Sequence, residues 1–384
     1  LIVVGVNVFL PGLQNAQTTT NATATARSVT TITVNYGTEK EKWLIDATNR
    51  FMTANPSIKV NLVGQGSMDS YQALSQITES STKLGSNPLP ALWTPAAMIQ
   101  VNLLNSRNQM NKELATACKR LVLSPLVIMA WEDRAKIFET AYKDKGGITF
   151  GNIFDAVDRN GKIKGLWSAI GGQANWGFIK IGHTDPTTGN SGMMLLIGLA
   201  NNYYGRTQAV TVADISNAKF VTFMTEIEKS VFALGKSTGT FMNDVIVKGP
   251  SSYDFVVVYE ALALENYKNA VGRQGQPLRI VYPQYNLYSD HPICLVDHPA
   301  ITAAERDAAK KYQDFLLTPE IQKLAVTYGF RPADPSVPIF GAATLFDDPD
   351  IKAAGLKTDV GLEMQIPDGN TLLQLLNTWQ RSVK

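Results

Sequence analysis

The sequence predicts an α/β protein built of two units, on three observations. Near the start of the chain, three short apolar or β-branched runs are each followed by glycine or hydroxyl residues and then by apolar positions at helical spacing. A long apolar run interrupted by Ser124-Pro125 separates this series from a second set of strand and helix signals, as a crossing between units would. At 384 residues, with 45% apolar side chains, the chain is long enough to give each unit its own core.

Each element has a local reason. "TITVNYG" is a β-branched strand ending at Gly37, and Thr38 can cap a helix whose apolar positions Trp43, Leu44, Ala47 and Phe51 recur until Asn55-Pro56 stops it. "IKVNLVGQGS" alternates Ile58, Val60 and Leu62 with polar residues and breaks at Gly64 and Gly66, ahead of a helix starting near Met68. "LPALWTPAA" is a third buried strand, with a polar end at Trp93-Thr94-Pro95. Such a series describes a parallel sheet whose loops converge at the carboxyl ends of its strands, where ligands of these sheets bind. A polar helical region is expected around Asn111 to Arg120, then the crossing "LVLSPLVIMAW". Helix signals continue through "WEDRAKIFETAY" and "ITFGNIFDAVD", followed by a long helix from about Ile215 to Leu234 and a strand at "YDFVVVYE". "RIVYPQYNLYSDHPICLVDHP" reads as a return crossing, and the closing third is helical to the end. No repeat is apparent.

Composition excludes several classes. Thirty-five Lys and Arg against 33 Asp and Glu leave a formal charge of +2, which argues against nucleic acid or an anionic membrane as partner. Cys118 and Cys294 form no CxxC or Cys/His cluster, and His183, His291 and His298 form no HExxH, so no metal site or cofactor is expected. The two cysteines are open to a disulfide or to two buried free thiols, and the thiols are the expectation. "GNSGM" lacks the GxSxG form of a nucleophile elbow, and GxGxxG and GxxxxGK[ST] are absent, so no catalytic residue is assigned. At the start, "LIVVGVNVFL", "PGLQNAQ" and a Thr/Asn/Ala-rich tract follow the order of a signal-peptide core, a processing zone and a polar leader. Residues 1–30 are therefore expected to be a signal or anchor remnant of an exported protein. An upstream extension would make the run a membrane anchor, and a buried strand is the alternative reading.

"HTDPTTGNSGMMLLIGLA", His183 to Ala200, sets an Asp-Pro turn, threonines, Asn, Ser and two glycines before an apolar helix. One cap would suffice for a helix start. The surplus hydroxyls, and glycines that let a foreign group approach the backbone, make Thr188, Ser191 and Gly192 candidate ligand contacts at a helix N-terminus. The alternative is a loop that needs turn residues. His183 shows no partner in the sequence and is read as capping or packing.

These residues carry a family resemblance. "YQDFLLTPEIQKLAVTYGFRPAD", "VNYGTEKEKWLIDATNRFMTANPSIKVNLVGQGS" and "HTDPTTGNSG" resemble, respectively, the late helix pair, the opening strand and helix, and the solute-site helix start of bacterial extracellular solute-binding proteins of the periplasmic binding protein type II fold, a group that includes molybdate, sulfate and phosphate receptors. The resemblance implies two α/β lobes, each a mixed sheet flanked by helices, joined by two hinge crossings, with residues 31–124 plus 285–384 as one lobe and 125–284 as the inserted lobe. It further implies capture of a small or oxyanion solute in the cleft by an extracytoplasmic monomer that serves an ABC permease. Thr38, Ser67 and Thr94 then stand where the first lobe meets its solute. Asp254 is expected to face the cleft, where its carboxylate would suit a cation, an amine or a sugar hydroxyl. Tyr282 could line the cleft wall, although a packed hinge tyrosine is the favoured reading of it, and Trp93 would stack on a solute or fill the core. The chain also resembles the subgroup that precedes a von Willebrand factor A domain. A membrane-associated sensor or adhesion role without transport is the alternative function, although no DxSxS motif is present.

Overall fold

The computed structural model describes residues 29–157, 165–341 and 344–383; the leader at 1–28 lies outside these. Strand β1 (Thr30–Gly37) is buried from Ile32 onward, as a strand with parallel neighbours must be. A 3-10 turn at Thr38–Lys40 leads into α1 (Glu41–Ala54), which buries Trp43, Leu44, Ala47 and Phe51 at helical spacing. Then follow β2 (Ile58–Gln65), α2 (Ser67–Ser75), β3 (Leu92–Thr94) and α3 (Met98–Ser106). Next come β4 (Ala115–Arg120), the long β5 (Val122–Trp131) and α4 (Glu132–Ala141). The middle of the chain supplies β6 (Ile181–Thr184), α5 (Asn190–Tyr204), α6 (Ala218–Glu228), β7 (Val231–Gly235) and α7 (Thr238–Lys248). It continues with β8 (Phe255–Tyr259), α8 (Glu260–Gln274) and β9 (Leu278–Val281). The last part holds β10 (Tyr288–Ser289), β11 (Pro292–Val296), α9 (Ala303–Leu316), α10 (Pro319–Thr327), β12 (Arg331–Pro332) and α11 (Gly369–Val383).

Two mixed sheets organise these elements, as expected of a two-lobed α/β fold. The first runs β2-β1-β3-β11-β4; β1 pairs in parallel with β2 and β3, and β11 runs antiparallel to β3 and β4. The second runs β9-β5-β8-β6-β7; β8, β6 and β7 are mutually parallel and β5 is antiparallel to its neighbours. Strand β5 links the two. Its start pairs with β12, Ser124-Pro125 pairs with β10, and Leu126 onward pairs with β8. Pro125, which has no N–H to donate, thus stands where pairing passes from one neighbour to the next. The return crossing, β10, runs antiparallel beside it. Helix α11 packs on α6 and touches α3, so the end of the chain reaches elements of both sheets.

Two sequence expectations are corrected. The polar region 111–120 is not helical: Asn111 and Ala117 have φ of +50° and +47°, and Ala115–Arg120 is an edge strand held by pairing to the distant β11. Helix formers such as Lys, Glu and Ala yielded to tertiary pairing. The helix expected to run to Leu234 stops at Glu228, and "VFALG" enters the second sheet beside β6. A short apolar run gives no periodicity that separates a strand from a buried helix turn. Among the described residues, no helix is long and apolar enough to cross a membrane.

The expectation of two free thiols is also overturned, because Cys118 and Cys294 form a disulfide. The antiparallel pairing of β4 with β11 is interrupted between Ile293 and Leu295, and the extra residue on β4, with Ala117 at positive φ, turns the two cysteines towards each other. The bond closes a loop of 176 residues across the first sheet, and such bonds persist in oxidising compartments. Reduction should therefore lower stability by about 2–4 kcal/mol in urea unfolding. The Cys118→Ala/Cys294→Ala variant should lose the same amount and no longer respond to reductant.

Candidate functional site

A strand of a parallel sheet hands its chain to a helix at its carboxyl end, so parallel neighbours place their helix starts side by side. Both sheets do this. In the first, β1, β2 and β3 end at Gly37, Gln65 and Thr94; in the second, β6, β7 and β8 end at Thr184, Gly235 and Tyr259. The six turns that follow meet one another. Thr38 Oγ1 donates to Ser237 Oγ at 2.8 Å and accepts from the Gly239 N–H at 3.2 Å. The Thr188 carbonyl accepts from the N–H groups of Met68 and Asp69, at 3.1 and 3.3 Å, at the start of α2. Gln100 Nε2 of α3 donates to Asn190 Oδ1 of α5 at 2.6 Å, and Asn190 Nδ2 donates to Tyr259 Oη at 2.7 Å.

The collar is held from beneath by hydroxyls. Gly189, not a side chain, occupies the N-cap of α5, and the Gly192 N–H is taken by Thr184 Oγ1 at 2.9 Å. Ser191 Oγ lies 2.9 Å from the Thr184 hydroxyl and accepts from Thr238 Oγ1 at 3.1 Å, so a chain of hydroxyls joins the starts of α5 and α7. Ser67 Oγ accepts from the Ala96 N–H, tying the second and third turns of the first sheet. Thr94 Oγ1 is buried and, among the described residues, has no hydrogen-bond partner.

A buried charge cluster adjoins these turns. Lys40 Nζ lies 2.6 Å from Glu39 Oε1, 3.3 Å from the Pro95 carbonyl and 3.2 Å from His291 Nδ1. Burial alone would raise the Glu39 carboxyl, but Lys40 and His291 beside it bring it down to about 2. Burial lowers Lys40, against the pull of Glu39. Burial and the Lys40 charge push His291 down to about 4, so its imidazole is neutral at pH 7. The His291 ring meets Tyr259 edge-on, with centroids 5.6 Å apart, which brings the cluster to the second sheet's turns. Burial raises the Tyr259 phenol and the Glu39 charge adds to this, so its hydroxyl stays protonated.

The structure brings Thr38, Ser67, Thr188 and Ser191 together at this meeting surface, and Thr94 ends the strand between them. Gly192 lies in the same turn, but its N–H is bonded within the collar. Three other expectations are corrected. Trp93 is fully buried and its indole N–H donates to Ser70 Oγ, so it fills the first sheet's core and offers no stacking face. Asp254 precedes β8, at the end opposite Tyr259, and its carboxylate is held by Arg134 Nε at 3.0 Å and Lys180 Nζ at 3.2 Å. Tyr282 donates to Glu260, which Arg331 clamps through two contacts of 2.8 Å, so it is a packed tyrosine near the return crossing. His183, read as capping or packing, is a buried partner of Glu228 at 3.2 Å; burial would lower its pKa, but the Glu228 charge raises it.

Glu39, Lys40, Asn190, Ser237, Thr238, Tyr259 and His291 were missed. Lys40 and Glu39 look like solvated residues of a first helical turn, and Ser237 and Thr238 follow a strand whose apolar run reads as the end of a helix. Only the polar Ser-Asp-His beside a crossing, at Ser289 to His291, carried a signal that could have been used. Among the described residues, no group of three or more His, Cys, Asp or Glu side chains is placed to hold a metal ion.

Comparison with known proteins agrees with this fold. A family model described as bacterial extracellular solute-binding protein matches residues 32–331. A sulfate-binding protein of Synechococcus elongatus is 26% identical over 194 residues, 49% of each chain, so the match spans about half the length of that curated relative. The solved sulfate-binding protein of Mycobacterium tuberculosis superposes with a TM-score of 0.52 at 18% identity, covering 91% of this chain and 97% of that one. A periplasmic thiamin binding protein gives 0.59 at 12% identity, covering 92% and 96%. These two likenesses concern the fold.

The neutral, depressed His291 sets an expectation for acid. The unfolded chain takes up a proton near pH 6.5 and the folded chain only near 4, so stability should fall as pH drops between those values, by on the order of 3 kcal/mol. Urea midpoints measured at pH 7 and 4.5 should show the loss, and His291→Asn should flatten it.

Proposed function

The chain belongs to the bacterial extracellular solute-binding protein family, and on that premise we propose that it captures a small oxyanion where the turns of its two sheets meet, outside the cytoplasmic membrane, for delivery to an ABC-type permease. The observation that carries this is the convergence of six strand-to-helix turns on one surface, with Thr38, Ser67, Thr94, Thr188 and Ser191 among them. Helix starts bring a partial positive charge and N–H donors, and hydroxyls add neutral donors, so a compact anion needs no arginine there. The carboxylate that would have repelled a free anion, Asp254, is held elsewhere by two cations. Sulfate is the solute to test first, because it is what the named curated relative binds.

The lobes we propose are 31–124 plus 285–384 and 125–284. Supporting this division, β5 and β10 run side by side where it falls, and β11, from the late part of the chain, lies within the first sheet. Anchoring through the leader belongs to the same proposal, as a feature that would keep the binding body at the cell surface; a von Willebrand factor A domain on the same polypeptide would instead favour the sensor or adhesion role without transport.

A thermal-shift screen against sulfate, phosphate, thiamin and simple sugars tests the reading. A solute at a hundred times its Kd adds about 2.7 kcal/mol of stability, a readily seen shift. Stabilisation by sulfate or phosphate is expected, and stabilisation by a sugar or thiamin alone would overturn the oxyanion assignment. Thr94→Val keeps the side-chain volume and removes only a buried hydroxyl with no partner among the described residues, so the melting temperature should hold or rise slightly. If that hydroxyl serves the solute, affinity in calorimetric titration should fall about five- to a hundredfold, the equivalent of roughly 1–3 kcal/mol.

A further inference from the structure

Two glycines, one from each side of the meeting surface, admit the other side's backbone. A Cβ on Gly66, just before α2, would stand 2.6 Å from the Thr188 carbonyl oxygen and 3.2 Å from that of Lys236. A Cβ on Gly239, in the first turn of α7, would stand 2.4 Å from the Thr38 carbonyl oxygen. Neither glycine has a left-handed φ, so alanine suits both backbones and would be refused only by the opposite partner. Through this reciprocal gap the Thr188 carbonyl reaches two N–H groups that open α2, and Thr38 Oγ1 accepts the Gly239 N–H of α7. Gln72 Nε2 adds a bond to the Thr187 carbonyl at 3.0 Å, and Lys42 pairs with Glu265 at 2.7 Å across the same boundary.

We propose that these contacts are a latch: the two halves close directly on each other, with the Thr188 carbonyl seated on the α2 helix start as a built-in occupant of the position that an incoming anion oxygen would take. A carbonyl oxygen and an anion oxygen ask for the same N–H donors. Entry of a solute therefore requires the latch to release, so that binding draws on the open fraction of the protein and the observed affinity is reduced accordingly. The latch is a property of the chain alone. It goes beyond the proposed solute and does not depend on which solute binds.

The test uses full-length protein dialysed free of solute. Hydrogen exchange of the Met68 and Asp69 amides should be protected in the wild type, and Gly239→Ala, which lies in a different element, should speed it at least about tenfold while leaving β1 amides protected. Gly66→Ala should do the same from the other side, and both variants should show a larger radius of gyration in small-angle scattering. Met68 and Asp69 amides that exchange freely in the wild type, or exchange and radius unchanged in the variants, would overturn the latch. Should either variant fail to fold, the other variant and the wild-type exchange still decide. A failed solute screen with protected amides sinks the proposed function and leaves the latch; free exchange in protein that binds sulfate does the reverse.

Discussion

The direction of six strands governs the whole molecule. Once β1, β2 and β3 are parallel, and β6, β7 and β8 likewise, every helix that follows them must start on the same edge of its sheet. Orphan N–H groups, hydroxyl residues and glycines accumulate at those two edges because helix starts and tight turns demand them. A polar surface made of backbone donors is thus a by-product of topology. The two edges face each other because β5 carries the chain from one to the other and β10 carries it back.

Residues whose role is local were legible. Trp43, Leu44, Ala47 and Phe51 announced α1, the Gly-rich end of β2 announced the turn before α2, and the cluster of turn and hydroxyl residues from Thr184 to Ser191 announced the start of α5. Residues whose role depends on distant partners were not. Ala115–Arg120 is a strand only because β11, far along the chain, pairs with it, and Cys118 meets Cys294 only because of an irregularity in that pairing. Lys229-Ser230 gave too slight a break to separate α6 from β7, which hid the turn that carries Ser237 and Thr238.

Asp254 and Trp93 were misplaced because of strand geometry. Sequence tells which strand a residue belongs to more readily than which end of the strand faces the partner sheet. Asp254 and Tyr259 bracket the same strand, and the acidic one drew attention, although β8 runs parallel to β6 and so directs Tyr259, not Asp254, to the shared edge. Trp93 lies one residue before Thr94, and the alternation of a strand turns the two side chains to opposite faces, one into packing and one to a buried site without a partner among the described residues.

The charge cluster explains why this surface has a lysine that does not act as a free cation. Lys40 Nζ lies within 2.6–3.3 Å of the Glu39 carboxylate, the Pro95 carbonyl and His291 Nδ1, which can engage the three donors that an ammonium has. A buried pair of this kind adds little net charge to its surroundings, yet removing one partner costs about 3–5 kcal/mol because the other is left uncompensated. Its role is therefore to fix position: it ties the first turn of the chain to His291 on the return crossing, and through the edge of the His291 ring to Tyr259 of the second sheet. With the lysine neutralised in this way, the proposed oxyanion would be attracted by the helix starts and hydroxyls, whose donors are also those the Thr188 carbonyl and Thr38 use to hold the two halves together. Under that proposal recognition and closure would draw on the same groups, so a change that strengthens one would act on the other.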